Sequence, residues 1–198
     1  MSRTIVIVFA LAALALAASL GSSPGEVVRA PGVLAPTAPQ QTTPPDFTPI
    51  RRGRHTLTPV ARFEATARVL AREDYRFDDE ARLSPTDLAL GWNRMSDTKT
   101  IDALTITQSG RWYRFFYLSP PIPHAEIVRS SANMHFIPAD DTVAATLAKV
   151  RVGDVVVFRG LLVDVARIDG WRWTTSRSRD DTGDGSCEVV YVEALSVR

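Results

Sequence analysis

The sequence predicts a mainly β domain with two short helices, folded as a small β-barrel behind an N-terminal apolar helix and a Pro-rich linker. Three observations lead there. The chain after Pro59 carries about six short runs rich in β-branched and aromatic residues, separated by glycine, proline or Asp-Gly breaks. Only two stretches carry helix-start signals, and both are short. Short strands with bends favour closure into a small barrel. Upstream, one apolar run is followed by repeated prolines.

Composition sets outer bounds. The 198 residues suit one ordinary domain, and 45% hydrophobic with 23% charged residues is normal for a folded protein. The 23 basic and 22 acidic residues exclude a basic tail or a domain built mainly to hold phosphate backbones. The single cysteine, Cys187, excludes an intrachain disulfide, a four-thiolate zinc site and a CxxC redox pair. There is no glycine-rich nucleotide loop and no HExxH helix.

Residues 1–21 read as a signal peptide or a membrane anchor. Arg3 and the amino terminus precede the apolar run Ile5–Leu20. As a helix this run rises about 24 Å, short of the roughly 30 Å hydrocarbon core. Ser19 and Gly21 suit a cleavage before Ser22; an uncleaved anchor is the alternative, and no cysteine follows to carry a lipid. Removing residues 1–21 takes away Arg3 and no acid, leaving a neutral chain of 22 basic and 22 acidic residues. A lone cysteine fits an oxidising compartment. The expectation is export to the periplasmic side of a bacterial inner membrane, anchored there or released. Residues 22–58 form a linker whose prolines exclude helix and sheet, so that it is extended or disordered. Arg51, Arg52, Arg54 and His55 end it as a basic cluster suited to anionic headgroups or to plain solvation.

The globular domain is expected over 59–198. Ala61–Ala71 alternates Phe63, Ala65, Ala67 and Val69 with polar neighbours, a strand pattern. Ser84-Pro85-Thr86-Asp87 predicts a short helix stopped by Gly91. Ile101–Ile106 and Arg111–Leu118 flank the Ser109-Gly110 turn as paired strands, and Glu126–Ile137 holds another strand. Asp140 or Asp141 caps a second helix, with Val143, Leu147 and Val150 on one face. Val155–Ile168 is a long strand with a bulge or bend at Gly160. Asp169-Gly170 turns it into a strand over Trp171–Ser176, and Cys187–Val197 is the last strand.

A strand, a short helix and then VRVGDVVVFRGLLVDV resembles the helix-to-strand-four region of an OB-fold, which implies an OB-like or related barrel. The domain also resembles a group of proteobacterial envelope proteins to which no activity is assigned. That likeness rests on Leu90-Gly91-Trp92 with Met95-Ser96-Asp97, on Ser109-Gly110-Arg111-Trp112-Tyr113, on Asn133-Met134-His135, and on Asp181-Thr182-Gly183 with Cys187-Glu188. It implies an envelope location and supplies no chemistry.

Three constellations carry possible chemistry. Cys187 with His135, oriented by Asn133, would make a thiolate nucleophile, with the Gly183–Ser186 loop offering N–H groups to an oxyanion. The plainer reading makes Cys187 a small buried side chain and His135 a hydrogen-bonded strand residue. Asp180, Thr182, Asp184 and Gly185 match the opening of a calcium loop, but Tyr191 stands where the bidentate Glu belongs. A calcium turn from Asp180, Asp181, Asp184 and Glu188 is set against an ordinary glycine-rich turn with no cofactor. Trp112, Arg114, Trp171, Trp173, Arg177 and Arg179 form an aromatic and arginine surface of the kind that stacks rings. A neutral exported chain argues against nucleic acid; a protein or glycan of the cell envelope suits this surface better. The sequence thus predicts a non-catalytic binding module of the envelope, with a Cys/His-dependent hydrolase or acyl transferase as the alternative.

Overall fold

The computed structural model describes residues 25–43, 46, 48–77 and 80–198. The apolar run Ile5–Leu20 lies outside the described residues. The chain is mainly β. The strands are β1 (Gln40–Thr42), β2 (Ile50–Arg52), β3 (His55–Asp74), β4 (Thr86–Gly91), β5 (Thr105–Ser109), β6 (Trp112–Phe116), β7 (Ser131–Pro138), β8 (Val155–Arg167), β9 (Arg172–Trp173) and β10 (Glu188–Val197). Among the described residues the α-helices are α1 (Thr98–Ile101), α2 (His124–Arg129) and α3 (Asp141–Leu147), where the sequence predicts two.

Five strands close into a ring in the order β3–β4–β7–β10–β8, with β8 returning to pair with β3. All neighbours are antiparallel except β7 and β10, which run parallel. Alternation sends Phe63, Phe136 and Phe158 to the centre, with ring centroids 6.1 Å apart for Phe63–Phe158 and 5.0 Å for Phe136–Phe158. Each such burial is worth about 1.5–3 kcal/mol. The helix α3 stands where the sequence predicts it. Asp140 accepts from the Val143 N–H at 2.9 Å, and Val143, Leu147 and Val150 join the interior. Arg72 closes the other end of α3 by donating to the carbonyls of Leu147 (2.7 Å) and Val150 (2.9 Å).

The predicted helix after Ser84 is instead β4. Its six residues are all buried, and it is hydrogen-bonded on both edges, to β3 and to β7. Pairing on two edges outweighs a local cap signal, and the Ser84 hydroxyl meant to cap has no hydrogen-bond partner among the described residues. The stretch around Glu126 splits into α2 and β7. The returning strand after Gly170 pairs only over Arg172–Trp173, because the Thr175 backbone N–H is taken by Asp164 at 3.0 Å. The irregularity expected at Gly160 falls on its partner: the register of β10 shifts between Val192 and Ala194. Gly160 is glycine because a Cβ there would stand 2.0 Å from the Tyr191 carbonyl oxygen.

The linker does not stand off the domain over its described part. Residues 25–43 lie along the ring as a strap. The Val27 N–H donates to the Val152 carbonyl (2.8 Å), and Arg29 donates to the Gly153 (3.1 Å) and Arg198 (2.7 Å) carbonyls. The Ser96 hydroxyl accepts from the Leu34 and Ala35 N–H groups, and Ala35 is fully buried in the ring's core. β1 and β2 then pair along β3 at Arg62–Glu64 and His55–Leu57, upstream of where β4 joins it.

Two apolar layers cover the outside of the ring. The β5–β6 hairpin and α2 bring Ile106, Tyr113, Phe115 and Ile127 over Leu70, Ala89 and Met95. Trp171 and Trp173 cover Leu161, Val163, Val165 and Val189. Polar groups fill the seam between these layers.

Candidate functional site

Along β4 and β7, Leu88, Leu90, Met134 and Phe136 enter the ring. Asp87, Asn133 and His135 are therefore left on its outer face, in the seam. All three are buried. Asp87 Oδ2 is 2.8 Å from His135 Nδ1, and Oδ1 is 3.4 Å from Arg111 Nη1. The Tyr75 hydroxyl accepts from the Arg111 N–H at 2.8 Å and hydrogen-bonds Asp87. Burial first, and then Asp87, push the Tyr75 phenol above its ordinary value. The Arg111 guanidinium lies over the Tyr75 ring at 4.0 Å and the Trp173 ring at 5.2 Å. The His135 ring sits 4.4 Å from that of Trp173.

Arg111 holds a left-handed backbone (φ 65°) directly after Gly110 (φ 59°), at the β5–β6 turn. Two such residues make the tight turn that hairpins prefer. An L-residue there costs roughly 1–2 kcal/mol that glycine would not. The ion pair with buried Asp87 offsets that cost.

Asn133 links this seam to Cys187. Its Oδ1 accepts from Gln108 Nε2 (2.6 Å), and its Nδ2 donates to the Arg111 carbonyl (3.1 Å) and to Cys187 Sγ (3.7 Å). The structure therefore brings Cys187 to Asn133 and leaves His135 engaged with Asp87; no hydrogen bond joins thiol to imidazole. Burial, with Glu188, Asp87 and Asp181 adding repulsion, pushes the Cys187 thiol from 9.0 up to about 12. A thiol so placed stays protonated, the opposite of an activated nucleophile.

Beside Cys187 opens a cavity of about 260 Å³, walled by Trp112, Tyr113 and Phe115 of β6, by Ser131–Asn133, and by the loop 178–188. Glu188 lies at its base. It shares a face of β10 with Val190 and Val192, which point into the ring. Its side chain is fully buried, and Arg179 Nη2 stands 2.7 Å from Oε1. The Arg179 guanidinium also lies 5.3 Å from the centre of the core Phe63 ring.

Burial raises the Glu188 carboxyl from 4.5 to about 8, against the attraction of Arg179. The folded protein then holds this proton more tightly than the unfolded chain. Its carboxyl leaves stability intact below the unfolded value and erodes it as pH climbs toward the folded one. Glu188→Gln is expected to raise the urea midpoint at about pH 9, and to lose that advantage at about pH 5. Equal midpoints for the two proteins at the higher pH would contradict the buried carboxyl.

The other expected residues separate. Of the acidic set, Asp180 pairs with Arg129 at 3.5 Å, Asp181 accepts from the Ser176 hydroxyl at 2.7 Å, and Glu188 meets Arg179. Asp184 lies on the exposed loop, and among the described residues no three His, Cys, Asp or Glu side chains gather as metal ligands. Of the aromatic and arginine set, Trp112 and Arg179 line the cavity. Arg114 is exposed, Trp171 and Trp173 cover the core, and Arg177 pairs with Asp164 at 2.9 Å. Sequence reasoning missed Asp87 by reading it as part of a helix capping box, a signal that the pairing of β4 on both edges overrides. Comparison of the chain with family models, with curated proteins and with solved structures finds no match.

Proposed function

We propose that this chain is a non-catalytic binding module of the bacterial cell envelope, exported or membrane-anchored, that takes a protein or glycan partner at the cavity beside Cys187. The observation that carries this reading is the state of the thiol. It is hydrogen-bonded by an amide, raised to about 12 and set apart from the imidazole. The alternative, a Cys/His-dependent hydrolase or acyl transferase, requires a thiolate beside a free imidazole. The cavity itself has what a binding site needs: an aromatic wall and a few converging polar groups. Near-neutral charge favours such partners over nucleic acid.

We read the ring as an OB-type barrel. Its order β3–β4–β7–β10–β8, the parallel β7–β10 pair and a helix between β7 and β8 support that reading. The resemblance to proteobacterial envelope proteins and the apolar N-terminal run support the location.

The test is a pair of substitutions in a strain where loss of the protein has a phenotype. Cys187→Ser and Cys187→Ala are both expected to retain function, with a stability loss of about 1 kcal/mol from the missing sulfur. A Ser variant that is folded yet as defective as a deletion overturns the binding reading.

A further inference from the structure

The strap begins on one end of the ring. The Val27 N–H donates to the Val152 carbonyl at 2.8 Å, and Arg29 reaches the carbonyls of Gly153 and Arg198. The loop 148–154 is shaped to receive it. A Cβ on Gly153 would stand 2.0 Å from the Val27 carbonyl oxygen, and Gly153 holds a positive φ of 87°. Glycine meets both demands, and the chain is fixed to this end from Val27 onward.

Val27 stands only seven positions after Leu20, where the apolar run ends. Fully extended, that stretch spans about 25 Å at most. The Pro-rich segment therefore supplies no long spacer, and an anchored chain keeps this end of the ring beside the bilayer. The other end is out of reach. Ile168 follows β8, and Val155 to Arg167 makes about 40 Å of strand.

The side chains at the near end suit lipid headgroups. Lys149, Arg151 and Arg198 are exposed, and Arg29 is partly so. Two acids stand among them. Asp154 is buried and pairs with Arg29 (3.8 Å) and Arg151 (3.4 Å), while Glu26 is exposed. These six groups sum to four cations against two carboxylates. Val28, 91% exposed, adjoins Arg29, and Val197, 39% exposed, adjoins Arg198. A basic surface with apolar tips is attracted by the negative potential of an anionic leaflet, which acts within about a Debye length.

We propose that this end of the ring, built from residues 27–29, the loop 148–154 and the end of β10, rests on an anionic bilayer surface, held there by the uncleaved apolar run. The proposal depends on the membrane-anchored form of the location reading. It also turns the cavity beside Cys187 toward the aqueous side. Glu188 opens β10 and Val197 closes it, with about 30 Å of strand between them.

The full chain, in a Cys187→Ala background, carries a fluorophore at Val28→Cys or at Ile168→Cys, both exposed positions. It is reconstituted in vesicles of phosphatidylglycerol and phosphatidylcholine doped with a lipid bearing a headgroup nitroxide. Near-UV circular dichroism establishes that each chain is folded; Cys187→Ser and Val197→Cys stand in for a background or label site that is not. Quenching at Val28→Cys is expected to exceed that at Ile168→Cys about threefold or more. It is expected to fall when Lys149→Glu is combined with Arg198→Glu, and in about 1 M salt, where the screening length shrinks to about 3 Å. Equal quenching at the two ends overturns the orientation. Quenching that ignores both the charge reversal and the salt overturns the headgroup contact. The mass of the chain recovered from bacterial cells tests the anchor. A periplasmic chain cleaved before Ser22 overturns this proposal and leaves the location reading intact, whereas a chain confined to the cytoplasm overturns both.

Discussion

Replacing Asp87 with alanine is expected to cost about 3–5 kcal/mol of folding stability, the loss typical when one partner of a buried ion pair is removed. Asp87 is fully buried, and three groups converge on it: Arg111, His135 and the Tyr75 hydroxyl. Without the carboxylate, the Arg111 guanidinium, stacked over Tyr75 and Trp173, loses its ion pair with Asp87. The left-handed backbone of Arg111 then loses the contact that offsets its cost. At about 2–4 °C per kcal/mol, the melting temperature should fall by roughly 10 °C. The double variant Asp87→Ala with Arg111→Gly should recover part of the loss, since it places glycine at the positive φ. Urea denaturation of the three proteins checks this. A single Asp87→Ala variant within about 1 kcal/mol of the parent would show that the seam is not a coupled network.

Removing residues 1–58 should have an effect at least as large. The shortened chain loses Ala35 and Leu57, both fully buried, and every hydrogen bond from Val27 to Arg52. It also bares the edge of β3 that β1 and β2 cover. An uncovered edge is a template for another chain. The expected result is a protein that aggregates or unfolds with a loss beyond about 4 kcal/mol, whereas a chain beginning at Gly25 keeps the parent's stability. Size-exclusion chromatography and chemical denaturation of the two shortened chains test it. A monomeric, equally stable domain beginning at Pro59 would show that the strap only rests on the ring.

Much of the ring was legible because its signals are local. The alternation of Phe63 to Val69 fixes the inward face of β3. The β-branched run from Val155 fixes β8, and the cap at Asp140 fixes α3. Ser109-Gly110 places the β5–β6 turn. What stayed hidden depends on partners far along the chain. β4 carries a good helix-start signal that only its two neighbouring strands override. α2 begins after Pro123 with no side-chain cap, and its single turn and a half is anchored by Ile127. The site follows the same division. Cys187 and Asn133 were named together from chemistry, but their contact arises from the parallel pairing of β10 with β7, across 54 positions. His135, two residues further along the same face, is claimed by Asp87 once β4 pairs with β7. Arg111 could not be singled out without knowing which carboxylate its turn would meet.

The strap also governs timing. Arg29 reaches the carbonyl of Gly153, 124 positions away, and that of Arg198, 169 positions away. β3 closes the ring only by meeting β8, about a hundred residues downstream. Contacts of such sequence separation are slow to form, since the loop between them must be ordered first. A chain made from its N-terminus therefore produces the strap long before the surface that receives it. The contacts of Arg29 with Gly153 and Arg198 wait for β8 and the end of β10 to be made.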